Sequence, residues 1–132
     1  MKVSVDTNVL VRAVLQDDVR QARKASKLLK EASLIAVSLV CLCELAWVLR
    51  RGAKRSKDDV SIAIRSLMAT RNVVMNRPAA EAGLALLDAG GDFADGVMAY
   101  EGTWLGGEAF VSFDKQAIDL LSGQGQTARL LT

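Results

Sequence analysis

Short β-type runs alternate with helical patterns along almost the whole chain of 132 residues. The runs KVSV, SLIAV, NVVM and AFVSF begin at residues 2, 33, 72 and 109, and ARLL from residue 128 is predicted as an edge strand. Between them, apolar residues recur at the three- and four-residue spacing of amphipathic helices. The alternation predicts one α/β domain over residues 1–132, with a mostly parallel central sheet flanked by helices.

Helix boundary signals support this organisation. Ser38 can cap a helix that runs to about Arg51, and Ser56 with Asp59 forms a capping box. Pro78 suits the first turn of a helix. The helices are predicted at about 8–15, 18–32, 39–51, 57–71, after Pro78, from about 92–95 to 106, and from about Lys115.

The absence of histidine limits the possible chemistry. It excludes histidine-based triads, histidine acid–base nucleases and histidine metal sites. Cys41 and Cys43 have neither CxxC nor zinc spacing, so we interpret them as small core residues of a reducing, cytoplasmic environment. The N-terminus carries no apolar signal region, and the apolar run 34–49 contains Glu44 and is too short for a membrane span.

The basic residues are concentrated in the first half of the sequence. Residues 1–57 carry 12 Lys or Arg and 5 Asp or Glu, whereas residues 58–132 carry 5 and 10. This division suits a polyanion held against an acid-rich centre. The candidate RNA-binding residues are Arg50, Arg51, Lys54 and Arg55, with a second stripe at Arg20, Arg23, Lys24 and Lys27. A solvated helix face is the alternative for both groups.

Four acids are predicted at one edge of the sheet. Asp6 and Asp114 directly follow strands, Asp95 lies in the first turn of a helix, and Glu44 lies about two turns into another helix. The carboxyl ends of parallel strands form the working cleft of such folds. Carboxylates without histidine suit Mg²⁺ or Mn²⁺, which can clamp a phosphodiester, and Thr7, Asn8 and Ser112 could orient ligands or water.

Each acid also has a purely structural interpretation. Asp6 and Asp114 could cap helices, and Asp92 and Asp95 could be ordinary acids at a helix N-terminus. Glu44 could pair with a lysine or arginine. Its apolar neighbours otherwise suggest that it faces a cleft where a cation neutralises it.

The segments VDTNVL, CELAWVL, DFADGVMA and FVSFDKQA resemble the four motif regions of PIN-domain ribonucleases, in the right order over nearly the whole chain. The closest similarity is to VapC-type toxins of bacterial and archaeal toxin–antitoxin pairs. The resemblance implies a three-layer α/β/α fold and metal-binding, catalytic roles for Asp6, Glu44, Asp95 and Asp114. Thr7 or Asn8 and Ser112 match supporting polar positions. Gly96 and Ser112 depart from the frequent alanine and threonine, and Gly96 is expected to loosen its helical turn.

The resemblance further implies a metal-dependent endoribonuclease, a homodimer and a cognate antitoxin. Asp92 is then the helix cap and Asp95 the ligand. A non-catalytic PIN-like module that binds RNA or a partner is one alternative. Another carboxylate–Mg²⁺ α/β protein, either an aspartyl-phosphate phosphatase or a receiver domain, is a further alternative. The phosphatase needs a second Asp where this chain has Asn8, and the GxGxxG loop of a Rossmann dehydrogenase is absent.

Overall fold

In the computed structural model, which describes residues 1–132, the secondary structure falls into two units, Met1–Asn76 and Arg77–Thr132. The amino-terminal unit is built on three parallel strands in the order β1-β2-β3, with Val3 opposite Ile35 and Ile35 opposite Val73. Its elements are β1 (Lys2–Ser4), α1 (Thr7–Leu15), α2 (Val19–Glu31), β2 (Leu34–Ala36), α3 (Leu39–Trp47), a π-helical turn (Val48–Gly52), α4 (Lys57–Ala69) and β3 (Val73–Val74).

The carboxy-terminal unit contains a second parallel pair, β4 with β5, in which Val111 lies opposite Arg129. The strand predicted at ARLL is therefore confirmed. The elements of this unit are α5 (Arg77–Asp88), α6 (Phe93–Trp104), β4 (Phe110–Ser112), α7 (Lys115–Gly123) and β5 (Ala128–Leu130).

Every strand pairing is parallel, as predicted from the alternation of strands and helices. Parallel strands need helical crossovers, which explains why helices follow β1, β2, β3 and β4. The predicted α/β fold class is confirmed. The prediction of a single domain over residues 1–132 stays a prediction.

Each unit buries its own apolar residues. In the amino-terminal unit the fully buried side chains include Leu10, Ile35, Leu42, Leu45, Leu49, Val60 and Ile64. In the carboxy-terminal unit they include Leu84, Leu86, Phe93 and Leu121. No helix in the structure combines the length and the apolar character that a membrane crossing requires.

The cap predictions are confirmed, but the end of one helix is not. Ser38 Oγ accepts a hydrogen bond from the Cys41 N–H at 3.1 Å, and Ser56 Oγ accepts one from the Asp59 N–H at 3.0 Å. The helix predicted to run to about Arg51 changes to a π-helical turn after Trp47, where the Ala53 N–H donates to the Val48 carbonyl at 2.9 Å.

Candidate active site

Asp6 stands between the end of β1 and the start of α1, at the N-cap position of that helix. A capping aspartate normally accepts a hydrogen bond from a backbone N–H of the first turn. The Asp6 side chain makes no such bond, and the residue is exposed. The backbone of Asp6 therefore occupies the predicted N-cap position, but its side chain does not cap the helix. The Asp6 carboxylate is available to a ligand.

Glu44 lies on the exposed face of α3, together with Val40 and Trp47, which are 69% and 65% exposed. The opposite face buries Cys41, Leu42, Leu45 and Ala46. Glu44 therefore does not share the environment of its apolar sequence neighbours, because successive helical residues point in different directions, and the prediction that it faces a cleft stays a prediction. A carboxylate on this face is solvated and needs no cation to be tolerated. The alternative, an ion pair with lysine or arginine, is also wrong.

Cys41 lies within reach of the charges of both Asp6 and Glu44. Its side chain is buried, and burial is the main cause that raises the pKa of the Cys41 thiol. A hydrogen bond with the Thr7 hydroxyl lowers this pKa, and the negative charges of Asp6 and Glu44 raise it. One thiol thus contacts Thr7 and lies in the field of both acids. The first turns of α1 and α3 meet here, at the carboxyl ends of β1 and β2.

A groove of about 330 Å³ begins two residues after Asp6. Its polar lining comes from Asn8 and Arg12 on α1 and from Gln21 and Lys24 on α2. Arg12 shares a face with Asn8 four residues earlier, and it forms an ion pair with Asp17 at 3.3 Å. The groove offers the cationic groups of Arg12 and Lys24, and Arg12 is a candidate that the sequence analysis missed.

Asp114 is the N-cap of α7, as the structural interpretation predicted. Its Oδ1 accepts a hydrogen bond from the Ala117 N–H at 3.3 Å. Ser112 supports it, because the Ser112 Oγ accepts a hydrogen bond from the Asp114 N–H at 3.0 Å. Capping involves one carboxylate oxygen, so the same side chain can cap the helix and offer its second oxygen to a cation.

Asp95 is half-buried in the first turn of α6. Burial raises its pKa above the ordinary range, and the negative charges of Asp92 and then Asp114 raise it further. Asp95 therefore lies in the electrostatic field of Asp114. Asp92 occupies the N-cap position, as predicted, but its side chain makes no capping bond.

Gly96 follows Asp95 for a reason of packing. A Cβ at Gly96 would stand 2.5 Å from the Ala82 carbonyl oxygen and 2.8 Å from the Gly83 Cα on α5. Backbones can approach this closely only where no side chain intervenes. The expectation that Gly96 loosens its helical turn is therefore incomplete, because the glycine lets α6 pack directly against α5 and so positions Asp95.

The predicted RNA-binding cluster lies on and after the π-helical turn. Arg50, Arg51, Lys54 and Arg55 are all exposed. The Arg50 guanidinium donates to the Arg55 carbonyl oxygen at 2.9 Å, so Arg50 closes the loop. Lys54 has a φ of 54°, a left-handed conformation that is rare for a residue with a side chain. The loop therefore exposes the basic side chains of Arg51, Lys54 and Arg55 to solvent.

None of the four predicted acids forms an ion pair. The ion pairs near them join Arg12 to Asp17 and Lys115 to Asp119. Neither unit by itself brings together three or more His, Cys, Asp or Glu side chains in a group that could hold a metal ion. The structure places Asp6 and Glu44 each near Cys41 and places Asp95 near Asp114, and a common centre for all four stays a prediction.

Comparison with protein families now adds to this geometry. The model of the PIN domain family matches residues 3–120, which include all four acids. The chain belongs to the PIN domain family. PIN domains are generally nuclease or RNA-binding modules, and those that are nucleases typically use divalent metals. A comparison with curated proteins found no match.

Membership of the PIN family confirms the family resemblance and the fold class. The narrower resemblance to VapC-type toxins stays a prediction. Sequence reasoning missed Arg12 and the contact between Cys41 and Thr7. Arg12 could have been found from its four-residue spacing from Asn8, but the Cys41 contact joins residues far apart in the chain and has no local signal.

Proposed function

We propose that this protein is a metal-dependent endoribonuclease that hydrolyses RNA phosphodiester bonds as the toxin of a toxin–antitoxin pair in the cytoplasm. The observation that carries the proposal is the state of Asp6, Glu44, Asp95 and Asp114. All four lack an ion-pair partner in a chain with 17 Lys and Arg residues. In a PIN domain, acids that form no ion pair with the Lys and Arg side chains of the same chain are suited to binding a divalent metal ion.

The donor set fits a hard cation, because Mg²⁺ and Mn²⁺ prefer carboxylate oxygens and water. Asp6, Glu44, Asp95 and Asp114 would hold it, and Ser112 would keep the Asp114 backbone in place. The raised pKa of Asp95 fits this role, since a half-buried carboxyl near Asp92 and Asp114 lacks the positive charge that would favour ionisation. A bound cation would polarise the phosphate and lower the pKa of a water molecule.

The neutral polar residues have distinct roles in this proposal. Thr7 is buried and hydrogen-bonded to Cys41, so it orders the start of α1 beside Asp6. Asn8 is exposed at the mouth of the groove with Arg12 and Lys24 and can hydrogen-bond RNA or water. The two cations of the groove can bind phosphates on either side of the scissile bond.

The proposed protein partners are a cognate antitoxin and a second copy of the chain in a homodimer. The similarity to VapC-type toxins supports both. Exposed apolar side chains such as Val40, Trp47 and Ile62 provide surface of the kind that protein interfaces bury. A projecting basic loop with Arg51, Lys54 and Arg55 suits either RNA or an acidic antitoxin segment.

RNA cleavage by wild type in Mg²⁺ or Mn²⁺, compared with cleavage in EDTA, tests the proposal. Asp6→Asn and Asp95→Asn should lower the rate by orders of magnitude, since an amide cannot supply the charge that holds the ion. Asp58→Asn is the matched control, because Asp58 is also an acid in the first turn of a helix but lies outside the predicted site. Full activity in EDTA contradicts the proposal. Metal-independent RNA binding without cleavage would instead favour a non-catalytic PIN-like binding module.

A further inference from the structure

Phe113 is an aromatic residue that is exposed to solvent. It stands between Ser112 and Asp114, and its side chain is 77% exposed. A phenylalanine in this state contributes little to the core, and the hydrophobic effect favours covering it. Phe113 is therefore available to contact a ligand at the residue next to a candidate metal-binding acid.

The backbone around Phe113 is held on both sides. The Ser112 Oγ accepts from the Asp114 N–H at 3.0 Å, and the Ser112 carbonyl accepts from the Leu131 N–H at 2.8 Å. Asp114 in turn caps α7 through the Ala117 N–H. The ring is thus attached to a fixed segment, so a ligand that contacts it does not have to order the loop first.

The strand pair next to Phe113 has exposed residues of apolar and cationic character. Val111 is 41% exposed, and Arg129 lies opposite it in the parallel register of β4 and β5. Val111 lies beside Arg129 in this pair, and Phe113 is the first residue after β4 ends. Exposed aromatic rings and cationic side chains are the groups that bind unpaired bases and their phosphates.

We propose that Phe113 stacks an unpaired nucleobase of the bound RNA and so contributes to RNA affinity beside Asp114. This inference rests on the proposed ribonuclease function. The Cα atoms of Phe113 and Asp114 are about 3.8 Å apart. RNA whose backbone passes Asp114 therefore brings the base of an adjoining nucleotide within reach of the ring. Lys115 does not compete for Asp114, because it pairs with Asp119 at 2.7 Å. A duplex keeps its bases stacked on one another, so only single-stranded or looped RNA can present such a base.

The test measures binding of a single-stranded RNA oligonucleotide in EDTA, where cleavage is not expected, and the KM for its cleavage in Mn²⁺. Phe113→Ala and Phe113→Leu should both weaken binding roughly five- to hundredfold, as expected for the loss of one stacked base. Phe113→Tyr keeps the π-face and should stay within about twofold of wild type by the same argument. A 2-aminopurine at the contacted position should lose fluorescence on binding to wild type but not to Phe113→Ala.

Trp104→Ala is the matched control. Trp104 is 76% exposed in the same unit, but it lies nine residues from Asp95 along α6, about 13 Å along the helix axis. Its removal should leave RNA binding and KM unchanged. Replacing single nucleotides with abasic ones should identify one position at which Phe113→Ala causes no further loss, which assigns the base that the ring contacts.

Three results would overturn the inference. Phe113→Leu with wild-type affinity would show that apolar area, and not stacking, is what the site uses. Equal losses in Phe113→Ala and Trp104→Ala would show a non-specific effect. A change of oligomeric mass in Phe113→Ala, with RNA affinity unchanged, would assign the ring to a protein interface. In each case metal-dependent cleavage by wild type would still support the proposed function, whereas wild type that neither binds nor cleaves RNA would contradict both.

Discussion

Gly96 on α6 lies against the backbone of Ala82 on α5, so closely that a Cβ at Gly96 would be 2.5 Å from the Ala82 carbonyl oxygen. The reciprocal position is equally tight, because a Cβ at Gly83 would be 2.6 Å from the Phe93 ring. The two helices therefore meet at two glycines. This crossing sets the position of the helical turn that carries Asp95.

Gly96→Ala should destabilise the protein, although alanine is the better helix former by about 1 kcal/mol. The added methyl group meets backbone atoms that cannot move aside, and overpacking of this kind costs about 1–3 kcal/mol. Urea unfolding measures the difference. Gly102→Ala on the same helix is the control, since a Cβ there has nothing within 4 Å, and it should be neutral or stabilising. Equal stability of the two variants would contradict the packing argument.

Asp95→Asn should stabilise the metal-free protein at neutral pH. Burial, Asp92 and Asp114 raise the pKa of Asp95 in the folded state. An acid whose folded pKa is raised destabilises the fold as pH climbs above its unfolded value of about 4. The destabilisation reaches its full size at pH values above the pKa of Asp95 in the folded state. Thermal melts in EDTA from pH 3 to 8 should show that the advantage of Asp95→Asn is absent at low pH and grows as the pH rises.

Glu44→Gln serves as the comparison for Asp95→Asn. Because Glu44 is exposed on α3, its replacement should change the free energy of unfolding by no more than about 0.5 kcal/mol. A large stabilisation by Glu44→Gln in EDTA would indicate that the Glu44 carboxylate is also strongly repelled by neighbouring acids. A large destabilisation would make Glu44 a structural residue.

Mn²⁺ should raise the melting temperature of the wild-type protein. A ligand present at about 100 times its dissociation constant adds roughly 2.7 kcal/mol to the stability of the folded state. Asp6→Asn and Asp95→Asn, taken from the two different units, should each lose most of this shift. If Mn²⁺ shifts Asp6→Asn as much as wild type, Asp6 does not belong to the metal centre.

Asp114 is expected to show two separable roles. Asp114→Ala removes the hydrogen bond with the Ala117 N–H and should cost about 1 kcal/mol of stability, the usual value for a lost N-cap. Asp114→Asn keeps a capping oxygen and should retain nearly wild-type stability. Both variants should lose metal-dependent cleavage. An active Asp114→Asn would assign Asp114 to capping alone.

The basic loop should contribute to RNA affinity through phosphate contacts. Reversing Arg51, Lys54 and Arg55 to Glu should weaken binding and reduce the slope of log affinity against log salt by about 0.7 per lost contact on single strands. Arg50→Ala should act differently, because Arg50 binds the Arg55 carbonyl and its loss loosens the loop. An unchanged salt slope in the triple variant would assign these charges to solvent or to the antitoxin.

The elements of the fold could be predicted from local sequence. The strands, most helix ends and the caps at Ser38 and Ser56 follow from side-chain period and capping chemistry, which act over a few residues. Asp6 and Asp114 could be named as candidates from the sequence as well, because residues that come after parallel strands lie at the carboxyl edge of a sheet. The change to a π-helical turn at Val48, where the Ala53 N–H donates to the Val48 carbonyl, could not be predicted, since neither the apolar period nor a capping residue marks it.

The sequence by itself determined which residue types are available: acids without histidine, and cations concentrated before residue 58. Only the tertiary structure decided the environment of each side chain. Glu44 turned out to be exposed, because its neighbours Leu42 and Leu45 take the buried face of α3. Gly96 proved to be a packing residue, because α5 lies within van der Waals reach of it. Solvation, electrostatic fields and close contacts depend on distances through space, and these join residues far apart in the chain.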